Sequence, residues 1–166
     1  MQDSRAHLRN DWTEKARVRC QRGFSLLELL IIVALVGVLS ALLIPFYLDQ
    51  IQRSRLARAL EELRTLADSI EAYESDLGGF PEELEEAVDP PPRDPWGNLY
   101  QYLPSTDPEW DGKRRKDRFL VPLNSDYDLY SSGPDGNSNP PLTAQASRDD
   151  IVRADNGSFF GVAADF

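Results

Sequence analysis

A run of twenty uncharged, mostly apolar residues, 29–48 (LLIIVALVGVLSALLIPFYL), constrains this chain more than any other feature. As a helix it would extend about 30 Å, which is the thickness of the hydrocarbon core of a bilayer. A carboxylate, Glu28, stands directly before the run. Since an ionised carboxylate at membrane depth is costly, we expect Glu28 to have a function and a cationic partner.

The charge distribution predicts which side of a membrane each part of the chain faces. Residues 1–23 carry six basic and three acidic side chains, whereas residues 24–166 carry 12 basic and 25 acidic ones. Because basic residues beside a spanning segment stay cytoplasmic, we expect a cytoplasmic N-terminus and an exported C-terminal part. An acidic exported part argues against nucleic acid as a partner.

Residue types weigh against an enzyme. The chain has one cysteine, Cys20, and one histidine, His7, and both lie in residues 1–23. An intramolecular disulfide is therefore impossible, and neither a Cys/His zinc site nor a Cys–His or Ser-His-Asp catalytic arrangement is expected. We predict no catalytic residues and no enzymatic activity.

Three interpretations of the apolar run compete. A secretory signal peptide would be cut near residues 38–40, but the run continues beyond them. A plain signal anchor explains the length and the topology of the run, but it gives Glu28 no function. The third interpretation starts from residues 22–30, RGFSLLELL.

This stretch closely resembles the class III signal of type IV pilins and type II secretion pseudopilins, which reads basic, Gly, Phe, Ser/Thr, Leu, aliphatic, Glu and aliphatic. The resemblance implies that a prepilin peptidase/methyltransferase cuts after Gly23 and methylates the new N-terminus at Phe24. The apolar run then stays in the mature chain. It further implies that Glu28 pairs with the α-amine of Phe24 in a neighbouring subunit and so sets the register of a filament. A helix dipole alone would favour Glu28 by only about 0.3–1 kcal/mol.

The helical pattern continues beyond the membrane run. Apolar residues recur at steps of three or four on one helical face, and two glycines and a proline at 78–81 end the pattern. We therefore predict one helix over about 24–76, with a bend or local melting near Pro45. The residues of this face are Leu56, Leu60, Leu63, Ala67, Ile70 and Tyr73.

The remainder predicts an α+β fold, with the long N-terminal transmembrane and amphipathic helix packed against a small antiparallel sheet. Residues 82–88 predict a short helix with Pro81 in its first turn. A proline-rich connector and a turn over 89–98 follow, and Trp96 is expected to pack in the core. The predicted strands are 99–103, 127–131 and 158–162. The basic cluster 113–118 is interpreted as a solvated loop in preference to a docking surface for an acidic partner.

Two motifs narrow the resemblance. DPWGNLYQY (94–102) followed by YDLYSSGPDG (127–136) looks like the body of type II secretion major pseudopilins, and the likeness covers about residues 22–150. Residues 104–123 and 151–166 depart from the family pattern. The resemblance implies an inner-membrane protein that polymerises with itself and with minor pseudopilins on an inner-membrane assembly platform, forming a periplasmic filament that drives protein export.

Other functions stay open at this point. A type IV pilin or minor pilin is the alternative within the superfamily, and the absence of a C-terminal disulfide argues against it. An anchored hydrolase or binding module is the alternative from another class. The predicted organisation is a cleaved leader (1–23), a transmembrane half-helix (24–48), an amphipathic half-helix (49–76) and a periplasmic globular part (77–166).

The segment 131–151 (SSGPDGNSNPPLTAQASRDDI) is rich in the oxygen-bearing side chains that calcium binds, although such clusters are mostly solvated turns. The resemblance to major pseudopilins implies a calcium site in this loop. Its expected ligands are the carboxylates of Asp135 and of Asp149 or Asp150, with the carbonyls of Ser132 and Asn137.

Overall fold

A computed structural model describes residues 23–118 and 121–166. His7, Cys20 and the other leader residues before Gly23 lie outside the described residues. The chain divides into two compact units, Met1–Leu43 and Ile44–Phe166.

A single helix, α1, spans Leu26–Leu77. It ends where predicted, because Gly78 adopts a φ of +80°, a left-handed conformation that glycine accepts readily. The helix begins two residues later than expected. It continues through Pro45, so the predicted local melting there is wrong.

The described residues of the first unit consist mainly of the beginning of α1. Their apolar side chains are largely exposed on all sides of the helix, with Leu26 at 83% and Leu42 at 70%. By length and composition, α1 is sufficient to cross a membrane. This is the surface expected of a segment that is solvated by lipid.

In the described part of the second unit, four strands form one antiparallel sheet in the order β1-β2-β3-β4. Their bounds are Gln101–Pro104, Tyr127–Ser131, Ile151–Ala154 and Phe159–Val162. β2 is confirmed as predicted, and β1 and β4 start one or two residues later than expected. The predictions missed β3, and residues 151–166 are therefore part of the sheet and its margin.

Two short helices complete the elements that position the loops. α2 spans Leu84–Ala87, so Pro81 does not lie in its first turn as predicted. α3 spans Trp110–Lys113, inside the segment that departs from the family pattern, and it buries Trp110.

The main core lies between α1 and one face of the sheet. The apolar side of α1 contributes Ala59, Leu63, Leu66, Ala67 and Ile70. The facing residues come from α2, from the residue before β1 and from the sheet; they are Leu84, Tyr100, Tyr127, Leu129 and Ile151. The predicted α+β fold is thus confirmed, with Trp96 packed at the edge of this core.

A smaller apolar cluster covers the opposite face of the sheet. Its buried members are Leu123, Leu142, Val152, Ala154 and Ala163. Leu123 is the last residue of the 104–123 segment, and Ala163 belongs to residues 151–166. Both segments therefore help to bury the face of the sheet that lies opposite α1. The sheet therefore lies between α1 and a layer of loops.

The core predicts a clear contrast between two leucines of α1. Leu63→Ala should lower the free energy of unfolding by about 2–5 kcal/mol, because Leu63 is 0% exposed and its removal leaves a cavity. Leu77→Ala, at a site 69% exposed, should change it by about 0.5 kcal/mol or less. Urea unfolding of the full chain in detergent, followed by tryptophan fluorescence, measures both. Equal losses would contradict this packing.

Candidate assembly site and C-terminal loop

Ser25 fixes the beginning of α1. It precedes the first helical residue, and its Oγ accepts a hydrogen bond from the Glu28 N–H at 3.1 Å. The Ser25 carbonyl accepts the Leu29 N–H at 3.2 Å. Ser-x-x-Glu is the sequence of a capping box, a signal for the start of a helix that the sequence predictions did not use.

Glu28 lies in the first turn of α1, where the helix dipole favours a negative charge. The sequence contains no Lys or Arg from Phe24 to Gln52, so this stretch offers Glu28 no basic side chain. Phe24, four residues earlier, is 71% exposed. At Gly23, an added Cβ would meet nothing within 4 Å, and the fold therefore does not require glycine there.

The two motifs of the body contact each other through Asp94. The Asp94 side chain is almost fully buried, and its Oδ1 accepts the N–H groups of Trp96 at 3.0 Å and Asn98 at 2.8 Å. Its Oδ2 accepts the Ser131 hydroxyl at 2.6 Å. Asn98 in turn donates its side-chain amide to the Gly133 carbonyl at 2.9 Å. Asp94 thus fastens the turn before β1 to the end of β2.

Gly133 allows the two ends of the 131–151 loop to approach. Its φ is +64°, and a Cβ there would lie 2.3 Å from the Asp149 carbonyl oxygen. Any larger residue would have to push that backbone away. The glycine of the SSGPDG motif is therefore required by the fold.

A second buried centre is formed by Arg115, which is 2% exposed. Its Nη2 lies 2.5 Å from Oδ2 of the buried Asp150. Its Nη1 donates to the Asn139 carbonyl at 2.7 Å and to the Ser138 hydroxyl. The guanidinium lies over the Tyr130 ring, 4.3 Å from its centroid. The interpretation of residues 113–118 as a solvated loop is therefore wrong for Arg115.

Burial dominates the electrostatics of two carboxyls near this centre. It raises the pKa of Asp150, and the Ser138 hydroxyl and the Arg115 charge oppose that rise. Burial also raises the pKa of Asp128, against the opposing hydrogen bonds of the Arg115 N–H and the Asn124 amide. Both carboxyls therefore depend on their partners to remain charged.

Arg153 forms a third buried contact and joins β3 to β2. Its two Nη atoms lie 2.9 and 2.7 Å from the carboxylate oxygens of Asp126, and its guanidinium lies 3.9 Å from the Tyr127 ring centroid. Burial alone would raise the pKa of Asp126, but the hydrogen bond and charge of Arg153 hold it below its usual value. The sequence predictions did not identify this pair.

The predicted calcium ligands lie in different surroundings. Asp135 and Asn137 are exposed, and Asp135 Oδ1 accepts the Asn137 N–H at 2.8 Å. Ser132 is buried beside Gly133, which the carbonyl and the Oδ2 of Asp149 also approach, whereas Asp150 is paired with Arg115. Within residues 23–118 and 121–166, no group of three or more His, Cys, Asp or Glu side chains is arranged to hold a metal. The Asp150 carboxylate, as placed, does not fit calcium, because Arg115 and Ser138 already bind its Oδ2.

The fold and the N-terminal site together define a class. A long helix with an apolar beginning and a Ser-x-x-Glu start, packed through its later part on a small antiparallel sheet, is a pilin-like architecture.

Comparisons with known proteins narrow this class. The family model described as the prokaryotic N-terminal methylation motif matches residues 18–44. Type II secretion system core protein G of Pseudomonas aeruginosa is 29% identical over 140 residues, covering 71% of this chain and 87% of that protein. The Escherichia coli K12 core protein G is 28% identical over 137 residues, covering 70% and 83%. Fimbrial protein EcpC of Eikenella corrodens is 36% identical over 61 residues, covering 37% and 40%.

The chain is thus similar to type II secretion system core protein G over most of that protein's length, and the predicted resemblance is confirmed. The methylation motif and the apolar beginning of α1 both indicate anchoring in the inner membrane.

The hydrogen bonds of Asp94 predict a large effect of its removal. Asp94→Ala should lower the free energy of unfolding by about 3 kcal/mol, because buried N–H and O–H donors lose a charged acceptor. The exposed Asp111→Ala, whose side chain is 87% exposed, should cost about 0.5 kcal/mol or less. Urea unfolding of the full chain measures both, and a loss at Asp94 no greater than at Asp111 would contradict the role of Asp94.

Proposed function

We propose that this chain is a structural subunit of a type II secretion pseudopilus, which polymerises to drive protein export across the outer membrane. The observation that carries the proposal is the extent of the similarity to core protein G. It runs over 140 residues and covers 71% of the chain, so it extends well beyond the long helix into the body, whereas the fimbrial similarity covers 61 residues.

Processing is the first step of this function. A prepilin peptidase/methyltransferase would cut after Gly23 and methylate the amine of Phe24. The methylation motif supports this step, and so does the exposed Gly23, for which the fold gives no steric reason. A glycine that the fold does not need is readily explained by recognition in an enzyme's active site, where the backbone must be approached closely.

Assembly is the second step, and it uses Glu28. Cleavage creates an α-amine at Phe24 close to the first turn of the helix. The Glu28 carboxylate of one subunit would pair with this amine on a neighbour. Opposite charges attract strongly at low dielectric, and the stretch from Phe24 to Gln52 has no other cation to offer.

Location follows from the charge distribution and from α1. The proposed subunit is single-pass in the inner membrane, with its basic leader (1–23) in the cytoplasm and residues 77–166 in the periplasm. Residues 24–48 would span the bilayer and 49–76 would continue towards the body. Its partners would be copies of itself, minor pseudopilins and the inner-membrane assembly platform. Calcium is not part of this proposal, because Arg115 holds the Asp150 carboxylate.

A type IV pilin or minor pilin is the second candidate. The similarity to the fimbrial protein favours it, since the identity over that shorter stretch reaches 36%. Filament formation through Glu28 would be common to both candidates.

Deletion of the gene in its own bacterium separates the two candidates. We expect exported proteins to disappear from the culture medium and to accumulate in the periplasm, with full recovery on complementation. Quantitative proteomics of both fractions measures this. An unchanged medium together with the loss of surface pili would contradict the secretion proposal and support the pilin alternative.

Neutralising Glu28 tests the assembly step. Glu28→Gln should leave membrane insertion and cleavage intact but reduce sheared filaments by about tenfold or more, because loss of roughly 1.4 kcal/mol per contact already gives that factor. The matched control is Glu61→Gln, an exposed acid on the later part of α1. Immunoblots of sheared and membrane fractions measure assembly. Wild-type filament yield from Glu28→Gln would refute the pairing.

A further inference from the structure

The loop between β2 and β3 contains a carboxylate that must be neutralised. Asp150 directly precedes β3 and is 0% exposed. An ionised carboxylate in such a place costs several kcal/mol unless a cation and hydrogen-bond donors compensate it. The source of that cation determines what this loop needs in order to fold.

Arg115 provides the compensating charge from outside the loop. Its guanidinium contacts oxygens of three different loop residues: the carboxylate of Asp150, the hydroxyl of Ser138 and the carbonyl of Asn139. Gathering oxygens from separated loop positions around one positive charge is what a bound calcium ion does. The Tyr130 ring beneath the guanidinium adds a further favourable contact.

The backbone around Arg115 holds the side chain in this position. The Arg115 N–H donates to Asp128 Oδ2 at 2.5 Å, and its carbonyl accepts the Leu123 N–H at 2.9 Å. The next residue, Lys116, donates its N–H to the Pro140 carbonyl at 2.9 Å and accepts the Leu142 N–H at 2.9 Å. Backbone hydrogen bonds thus hold the arginine between the sheet and the loop whose carboxylate it neutralises.

We infer that Arg115 is the structural cation of the 131–151 loop, and that its guanidinium has the role that the resemblance to major pseudopilins implied for calcium. The 104–123 segment, which is predicted to depart from the family pattern, supplies this arginine. Stabilising the 131–151 loop is therefore a function of that segment. The inference concerns the folding of the body and holds whether the filament serves secretion or is a pilus.

Calcium at Asp150 would meet an electrostatic obstacle. Because Arg115 and Ser138 bind Oδ2 of Asp150, calcium would have to bind its Oδ1 atom, which is buried without a hydrogen-bond partner in the described part of the chain. An ion bound there would lie beside the guanidinium, and like charges repel strongly in a buried place. The loop should therefore fold fully without the metal, and chelators should leave it intact.

Thermal melts of the full chain in detergent test this inference. The wild-type melting temperature should agree within about 1 °C in excess calcium chloride and in excess EGTA, since a ligand that does not bind the native state cannot stabilise it. Arg115→Gln should lower the melting temperature by about 10 °C, because it leaves a buried charge unpaired. The matched control is Arg118→Gln in the same segment, whose side chain is 80% exposed and should have little effect.

Calorimetric titration of wild-type protein with calcium provides a readout that needs no variant. We expect no saturable binding. A rise of several degrees with calcium, or saturable binding that protects the loop amides from hydrogen exchange, would overturn the inference. Equal melting temperatures for Arg115→Gln and Arg118→Gln would also overturn it.

Discussion

The fold of this protein depends on one helix, α1, whose beginning is suited to lipid and whose later part must pack against other residues of the chain. The beginning of α1 exposes apolar side chains on every side, as a helix solvated by lipid must. Its later part has one apolar side, and exposing that side to water would be unfavourable unless other residues covered it. The residues after the helix supply that cover, with four short strands of four or five residues each.

Strands this short leave much of the body in loops, and buried polar contacts place those loops. Asp94 fastens the turn before β1 to Ser131, and Arg153 joins β3 to Asp126. Arg115 holds the 131–151 loop through Asp150. Removing one partner of the fully buried Arg115–Asp150 pair is expected to cost about 3–5 kcal/mol, so this pair strongly disfavours alternative positions of the loop.

The sequence predicted the parts of the fold that have a clear period. The helix, its end at the two glycines, and β2 all follow from spacing and from turn residues. β3 escaped prediction because all four of its residues are buried, Arg153 included, and buried strands show no alternation. The calcium prediction rested on the resemblance to major pseudopilins and on oxygen-bearing residue types, and such residue types indicate that a cation is needed without indicating its source.

Contacts between side chains that are distant in sequence could not be predicted from the sequence either. Asp94 and Ser131 are 37 positions apart, and Arg115 and Asp150 are 35 apart. Nothing in a run of basic residues distinguishes the one arginine that turns inward. At the N-terminus, by contrast, Ser25 and Glu28 are close neighbours, and a Ser-x-x-Glu pattern was available to predict the cap.

Cleavage after Gly23 is expected to create the charge partner of Glu28 while leaving the apolar run in the mature protein. The intact mass of the chain purified from the membranes of its own bacterium shows whether this cleavage occurs. We expect the mass of residues 24–166 with one added methyl group. A mass that includes residues 1–23, or one that corresponds to cleavage near residues 38–40, would contradict it.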